Sequence, residues 1–458
     1  MIVSLSVSNF RSFSSEETLS LVASNRLSGS HDDHAVPIPD SKERVLRTAV
    51  LYGANGAGKS NLFKAIRYLK SVALEPRKKN RGTGREPFKF AEPQDEPSSF
   101  DLQFIAADKL YRFGFKVDDE RIVEEWLFQV VGNRQKPLYE RTTDENGKVT
   151  IDAEGLKGAG EKVVALARVG GPQNQSFLAT ANATLDDWRD SGEELGRVLT
   201  WFQGSLNLVG PDESIGPLGH QLDQDSGFLS FAGAFLKSAS TGVDHLEVLK
   251  KEISQDEIRR LLPDSAVRSL RDLPGGADGL PVVVRLEDVT ELLVERKGEN
   301  RVYRIAIQAA HEHEPGKVVR LELAEESDGT RRLLNLIPAL RAPRATSAVY
   351  FIDEIDRSLH PILVKEFLEF FLKSTDGGPR QIIVTTHESN LLDQELLRRD
   401  EIWFAEKDQT AATRLYSLLD FKVRNDLEIR KHYLQGRFGA VPFLGNLESL
   451  LTKPDRPA

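Results

Sequence analysis

The segment Gly53-Ala-Asn-Gly-Ala-Gly-Lys-Ser60 restricts what this chain can fold into more than any other stretch. It fits G-x-x-x-x-G-K-[ST], and its flanks fit as well. Before it, Val45, Leu46, Ala49, Val50 and Leu51 make a short apolar run of β type. After it, Leu62, Phe63, Ile66, Leu69 and Val72 recur at helical spacing. The pattern predicts strand, loop and helix in that order. Glycines in such a loop let backbone N–H groups turn inward, and the helix N-terminus adds partial positive charge, so the unit suits a phosphate. Lys59 would reach the β- and γ-phosphates, and Ser60 would hold Mg²⁺ through its hydroxyl. Asn55, Gly56, Gly58 and Asn61 complete the candidate phosphate-binding set.

A second constellation lies some three hundred residues downstream. Ala348-Val-Tyr-Phe-Ile-Asp-Glu354 is an apolar strand ending in two carboxylates. Acids at the carboxyl end of a buried parallel strand face the ligand crevice. Asp353 would hold Mg²⁺ through its water shell, and Glu354 would polarise an attacking water as general base. Asp356-Arg-Ser-Leu-His-Pro361 is a polar turn into a helix that starts at the proline. Gln381-Ile-Ile-Val-Thr-Thr-His387 is a further strand ending in a histidine, a candidate sensor of the γ-phosphate. Ser327-Asp-Gly-Thr330 precedes a helix and offers a second anion cradle. A second cradle in one chain makes sense if it reaches the nucleotide of a partner copy.

With 458 residues, the chain exceeds what one core usually organises, so more than one lobe is expected. Residues 1–179 would be an N-terminal lobe carrying the loop and a β meander. Residues 180–279 would be a helical insertion, and 280–458 a C-terminal lobe. Residues 23–44 and 75–98 read as loops. The stretch 100–130 alternates like an antiparallel meander, 280–325 reads as strands, and 347–405 alternates strand and helix, with Leu391 to Leu397 among the helices. Cysteine is absent, which excludes disulfides, thiolate metal sites and cysteine nucleophiles and suits a reducing cytoplasm. No apolar run nears the ~20 residues of a membrane span, and the N-terminus lacks the basic region of a secretion signal. The net charge of −9 argues against a general nucleic-acid coat. Arg77-Lys-Lys-Asn-Arg81 with Arg85 and Lys89 is the one basic stretch, ordinarily a solvated loop. His31-Asp-Asp-His34 and His311-Glu-His313 are weak metal-ligand patterns in polar stretches.

These parts, in this order, resemble the ATP-binding-cassette ATPases of the SMC/OLD type. Asn9-Phe-Arg-Ser-Phe13 resembles the N-terminal motif of that class, in which the arginine contacts the nucleotide; Arg11 takes that role by resemblance. Ser327-Asp-Gly-Thr330 stands where the class has its signature, usually Ser-Gly-Gly-Gln, with Ser327 and Gly329 retained. The tail, Arg399 to Asp408, Leu415 to Leu418 and Tyr433 to Pro442, resembles the OLD-related AAA-15 subfamily of stand-alone ATPases. The resemblance implies an α/β fold, an ABC-type P-loop NTPase head with a mixed sheet, an antiparallel β subdomain and a helical insertion. It implies a head-to-head dimer, or a higher homo-oligomer, with ATP and Mg²⁺ sandwiched between one chain's Lys59, Ser60, Asp353 and Glu354 and the other's Ser327 and Gly329, with Asp356 close by. A glutamine ligand to Mg²⁺ is expected too; Gln175 is the candidate, with Gln173 beside it. Fewer than 40 residues follow Asp420, too few for the Toprim nuclease that many OLD-type proteins carry. The resemblance therefore implies an ATPase sensor or scaffold that controls a separate effector, a nuclease, in anti-phage defence, with a phage protein as trigger. The alternative is a DNA-clamping repair or recombination ATPase of SMC type, so nucleic acid stays open as a partner.

Overall fold

The meander expected around residues 100–130 is the middle of a seven-stranded antiparallel sheet. A computed structural model of the chain describes residues 1–78, 81–90, 96–156, 160–185, 193–262, 282–286, 290–297, 299–341, 347–374, 380–422 and 428–441. In spatial order, the strands of this sheet are Val149–Asp152, Arg134–Thr143, Ile122–Val131, Lys109–Val117, Ser98–Ala106, Ile2–Ser8 and Glu17–Ser20. Alternation sets one face: Phe100 pairs with Phe115 and Phe104 with Tyr111 across neighbouring strands. All four rings are buried. The turn Ala107-Asp108 holds both residues at positive φ, as a two-residue hairpin of right-handed twist requires.

A second sheet carries the loop. Five of its strands run in the order Ala348–Ile352, Arg380–Thr385, Thr48–Tyr52, Ile402–Lys407, Thr413–Ser417. The first four are parallel and the fifth is antiparallel to Ile402–Lys407. Every residue of the three strands before the loop, the acid pair and the histidine is buried, as a parallel sheet covered on both faces demands. Because these strands are parallel, their carboxyl ends lie at one edge, where Gly53, Asp353 and Thr386-His387 begin. The class is α/β, with the mixed sheet and the antiparallel β subdomain that the resemblance implied.

Contacts divide the chain into two units. One comprises Met1–Leu206, Ser347–Glu354 and Pro379–Ala458; the other comprises Asn207–Thr346 and Ile355–Gly378. This division does not follow the linear boundaries at 180 and 280. Parallel strands need long crossover connections, so Ala348–Ile352 and Arg380–Thr385 return to the first unit while Asn207–Thr346 and Ile355–Gly378, before and between them, do not. The second unit holds the antiparallel order His245–Glu252, Glu299–Glu314, Glu291–Lys297, Val282–Arg285, with Lys317–Glu322 also paired to Glu299–Glu314. Its helices include Leu218–Gln224, Ser226–Ser238, Gln255–Leu261, Asp328–Leu336 and Pro361–Lys373. Phe231 and Phe370 pack with ring centroids 5.8 Å apart.

Three expectations are corrected. Residues 180–279 are not purely helical, since His245–Glu252 is an edge strand; its exposed Lys250, Lys251 and Glu252 mask the alternation that would reveal it. In that stretch, Glu193–Thr200 is an α-helix that runs on into a π-helical turn, Trp201–Ser205, and residues 186–192 lie outside the described residues. Leu391 to Leu397 is not a helix but a 3₁₀ turn, Ser389–Leu391, followed by turns. There the carboxylates of Glu388 and Asp393 accept from the N–H groups of Asn390 and Glu395, which offers the backbone an alternative to helix. The apolar run before the loop is also broken in two. Arg44–Leu46 pairs with Ala35–Pro37, and only Thr48–Tyr52 enters the parallel sheet.

Candidate functional site

The loop leaves a buried strand and ends in the helix Lys59–Leu74, as the spacing predicts. Gly56 and Gly58 sit at φ +76° and +108°, a region that side chains with a Cβ rarely adopt. Gly58 is the N-cap and supplies no side chain to satisfy the first-turn N–H groups, which leaves a helix end suited to an anion. Lys59 is only 4 % exposed. Its Nζ donates to the carbonyls of Gly53 at 2.7 Å and Ala54 at 3.2 Å, and lies 3.3 Å from His387 Nδ1. The ammonium therefore stands inside the curl of the loop. Asn55 and Gly56 form its exposed tip.

Across the strand ends, Asp353 is 4 % exposed and meets the loop directly: Ser60 Oγ donates to its Oδ1 at 3.3 Å. Thr385, which no motif in the sequence singles out, organises both acids. Its hydroxyl donates to Asp353 Oδ1 at 2.5 Å and accepts from the Glu354 N–H at 2.8 Å. Glu354 sits at φ +49°, in the left-handed region. For a residue other than glycine that costs on the order of 1 kcal/mol or more, and such strain concentrates where geometry matters. The donor set fits the implied groups: a serine hydroxyl and a carboxylate are hard oxygen ligands suited to Mg²⁺, and a buried lysine in a glycine loop suits phosphate.

A hydrogen-bonded relay braces the loop from behind. Asn61 Nδ2 donates to Ser12 Oγ at 2.8 Å, Ser12 and Thr413 hydroxyls lie 2.7 Å apart, and Thr413 Oγ1 donates to the Ala57 carbonyl at 2.8 Å. A Cβ on Gly58 would come within 2.1 Å of Thr413 Oγ1, so this glycine is required by close approach as well as by φ. Ser12 lies inside the N-terminal motif. Nothing in the sequence spacing points to Thr413, because it reaches the loop from the hairpin at the far edge of the sheet.

Other candidates stand elsewhere. Arg11, at φ +52°, pairs with Glu86, and its guanidinium lies 5.8 Å from the Phe10 ring. The polar contacts of Gln175 run to the Arg77 N–H and the Thr180 hydroxyl, at 2.8 and 2.9 Å, and not to Ser60 or Asp353. A side chain placed this way fastens two segments. Gln173 contributes its carbonyl to Arg141 and Ile122. In the second unit, Ser327 caps the helix Asp328–Leu336, accepting from Thr330 N–H at 3.1 Å. Gly329 is crowded by the Ser358 carbonyl, 2.8 Å from where a Cβ would stand. Asp356 belongs to the same unit.

The weak metal patterns resolve into structural contacts. His34 Nδ1 lies 3.0 Å from buried Glu401, and His311 Nε2 lies 2.5 Å from Glu326. In the basic stretch, Arg85 pairs with Asp119 at 2.6 Å, and Asn174 holds the carbonyls of Lys78 and Arg81. Lys79 and Asn80 lie outside the described residues. Among the described residues, no helix is long and apolar enough to cross a membrane.

A family model described as "AAA domain, putative AbiEii toxin, Type IV TA system" matches residues 49–393. The matched stretch takes in Lys59, Ser60, Ser327, Asp353, Glu354 and His387. Among solved structures, the chain is similar to the SMC head domain from Thermotoga maritima, with 14 % identity, 91 % of this chain and 98 % of that chain covered, and a TM-score of 0.34. It is similar also to an SmcHead bound to the C-winged helix domain of ScpA, with 12 % identity, 91 % and 97 % covered, and a TM-score of 0.38. No curated protein matches it.

Proposed function

The chain belongs to the family described as "AAA domain, putative AbiEii toxin, Type IV TA system", and on that premise we propose that it binds ATP with Mg²⁺ and hydrolyses it slowly, as a regulatory ATPase. The observation that carries this reading is the meeting of Ser60 with the Thr385-held acid Asp353, beside Lys59 and His387. On nucleotide binding, Lys59 exchanges the carbonyls of Gly53 and Ala54 for phosphate oxygens. Ser60 and Asp353 would hold the cation, which when bound would supply neutralisation of the phosphate charge. Glu354 takes the proton of the attacking water, and His387 donates to the γ-phosphate as charge develops. The atoms balance as ATP and water giving ADP and phosphate.

The finer reading places the chain in the OLD-related AAA-15 subfamily, in the cytoplasm. Two copies would close head to head, with Ser327 and Gly329 of each on the other's nucleotide, Asp356 close by and Arg11 in contact with bound nucleotide. The closed form would hold a separate effector, a nuclease, and release it when a phage protein is sensed. The family description, with its toxin–antitoxin wording, supports a defence role. The test is affinity purification of the Glu354→Gln chain co-expressed with its neighbouring gene, with and without phage infection. A stoichiometric neighbour that leaves on infection supports the sensor reading. A chain that arrives alone with duplex DNA overturns it in favour of the clamp.

A further inference from the structure

The strand that leads into Ser327 is paired with the strand that carries His311. Lys317–Glu322 passes through the 3₁₀ turn Leu323–Glu325 to Glu326, and Ser327 then caps the helix Asp328–Leu336. His311, on Glu299–Glu314, stands opposite Val319 in that pairing. Its Nε2 nevertheless donates further along the chain, to Glu326 Oε1 at 2.5 Å. The backbone at Gly242 lies behind the ring: a Cβ added there would stand 3.5 Å from His311 Nδ1.

The Glu326 side chain is 5 % exposed and that of His311 24 %. Among the described residues, His311 is the hydrogen-bond partner of this carboxylate. A carboxylate taken out of water needs a donor, and a charge-assisted bond is a strong one. Backbone bonding at the joint is thin by comparison. The Glu326 N–H donates to the Leu323 carbonyl at 3.3 Å, beyond the usual length of about 2.9–3.0 Å. Glu326 is the residue directly before Ser327, so whatever fixes its side chain fixes the backbone that leads into Ser327 and Gly329. Such placement matters for a group that must meet a nucleotide held elsewhere. A misplacement of about 1 Å can cost on the order of a hundredfold in a positioned reaction.

We propose that His311 is a positioning residue for the signature: through Glu326 it sets where Ser327 and Gly329 meet the nucleotide of a second copy. The inference rests on the head-to-head reading above. It adds to that reading a residue that touches no nucleotide and acts through the carboxylate beside the signature.

The test uses the full chain carrying Glu354→Gln and follows ATP-dependent dimerisation by mass in solution. His311→Gln places an amide N–H close to where Nε2 stands, whereas the amide of His311→Asn is one carbon short. The asparagine variant is expected to need about tenfold more protein to dimerise, the scale of one hydrogen bond to a charged group. The glutamine variant should stay within a few-fold of the parent. Glu326→Ala removes the carboxylate itself and leaves no acid to satisfy; it should behave as His311→Asn does. Melting temperature, and ATP affinity measured on dilute monomer, should stay close to the parent throughout, because a chain's signature would serve its partner's nucleotide. Dimerisation that is equal in the parent, His311→Asn and Glu326→Ala overturns the inference. A glutamine variant as weak as the asparagine one overturns it too. So does a fall in ATP affinity and melting temperature in step with dimerisation, the mark of a general loss of fold. Ser327→Arg separates this inference from the reading beneath it. A dimer that Ser327→Arg blocks and His311→Asn spares overturns the inference alone. A dimer that never forms, or that ignores Ser327→Arg, overturns the head-to-head reading and this inference with it.

Discussion

Thr385 joins the two acids of the site through one hydroxyl, donating to Asp353 and accepting from the Glu354 backbone. Thr385→Val keeps the shape and removes both bonds. A hydrogen bond to a charged group contributes roughly 1.5–3 kcal/mol, so phosphate release should slow about tenfold or more while ATP affinity, measured by equilibrium binding, shifts only a few-fold. Unchanged turnover would reduce Thr385 to packing. Glu354→Gln should retain ATP and lose turnover by about a hundredfold or more, the scale of general-base catalysis. Gly58 belongs to the same scale. With φ at +108° and Thr413 Oγ1 2.1 Å from an added Cβ, Gly58→Ala should lower the melting temperature and ATP affinity together. Gly56→Ala, open on all sides within 4 Å, should cost only the φ penalty, about 1 kcal/mol. Equal effects of the two would show that the close approach to Thr413 plays no part.

Elements in this fold are fastened by polar groups that reach across the chain. Glu125, on the strand Ile122–Val131, accepts from the N–H groups of Phe177 and Leu178 at the start of the helix Phe177–Thr184, and from the Tyr139 hydroxyl. Burial pushes its carboxyl above the ordinary range, and Arg141 with these donors opposes the shift. A raised folded value means that folding favours the protonated acid. Its contribution to stability is then fully present below the unfolded value, about 4.3, and is lost as pH rises through the folded one. Glu125→Gln should therefore flatten that part of the profile of melting temperature against pH. Glu125→Ala, which leaves the Arg141 charge without its carboxylate and the Phe177 N–H and Tyr139 hydroxyl without their acceptor, should cost roughly 3–5 kcal/mol in urea unfolding. A profile of the same slope in the glutamine variant would show that Glu125 does not titrate there.

At the scale of the whole molecule, the proposed closure of two copies makes Ser327 decisive. Its hydroxyl is spent within its own helix cap, and Ser327→Arg should leave ATP bound to a monomer while blocking the ATP-dependent dimer of Glu354→Gln, read by mass in solution. A dimer that forms regardless would remove the signature from the interface. The sequence by itself determined the loop, its helix, the acid strand and the histidine strand. Each is a local pattern: a period of apolar residues, glycines where φ turns positive, acids at a strand end. Alternation also carried the meander from Phe100 to Val130. Tertiary structure alone decided that Ala348–Ile352 and Arg380–Thr385 fold back beside Thr48–Tyr52, because parallel pairing joins distant segments and leaves no short-range trace. It alone brought Thr385 between the acids, Thr413 and Ser12 behind the loop, and Gln175 to Arg77. A hydroxyl or an amide reads the same in sequence whether it holds a ligand or a neighbouring backbone. Only its surroundings in space settle which.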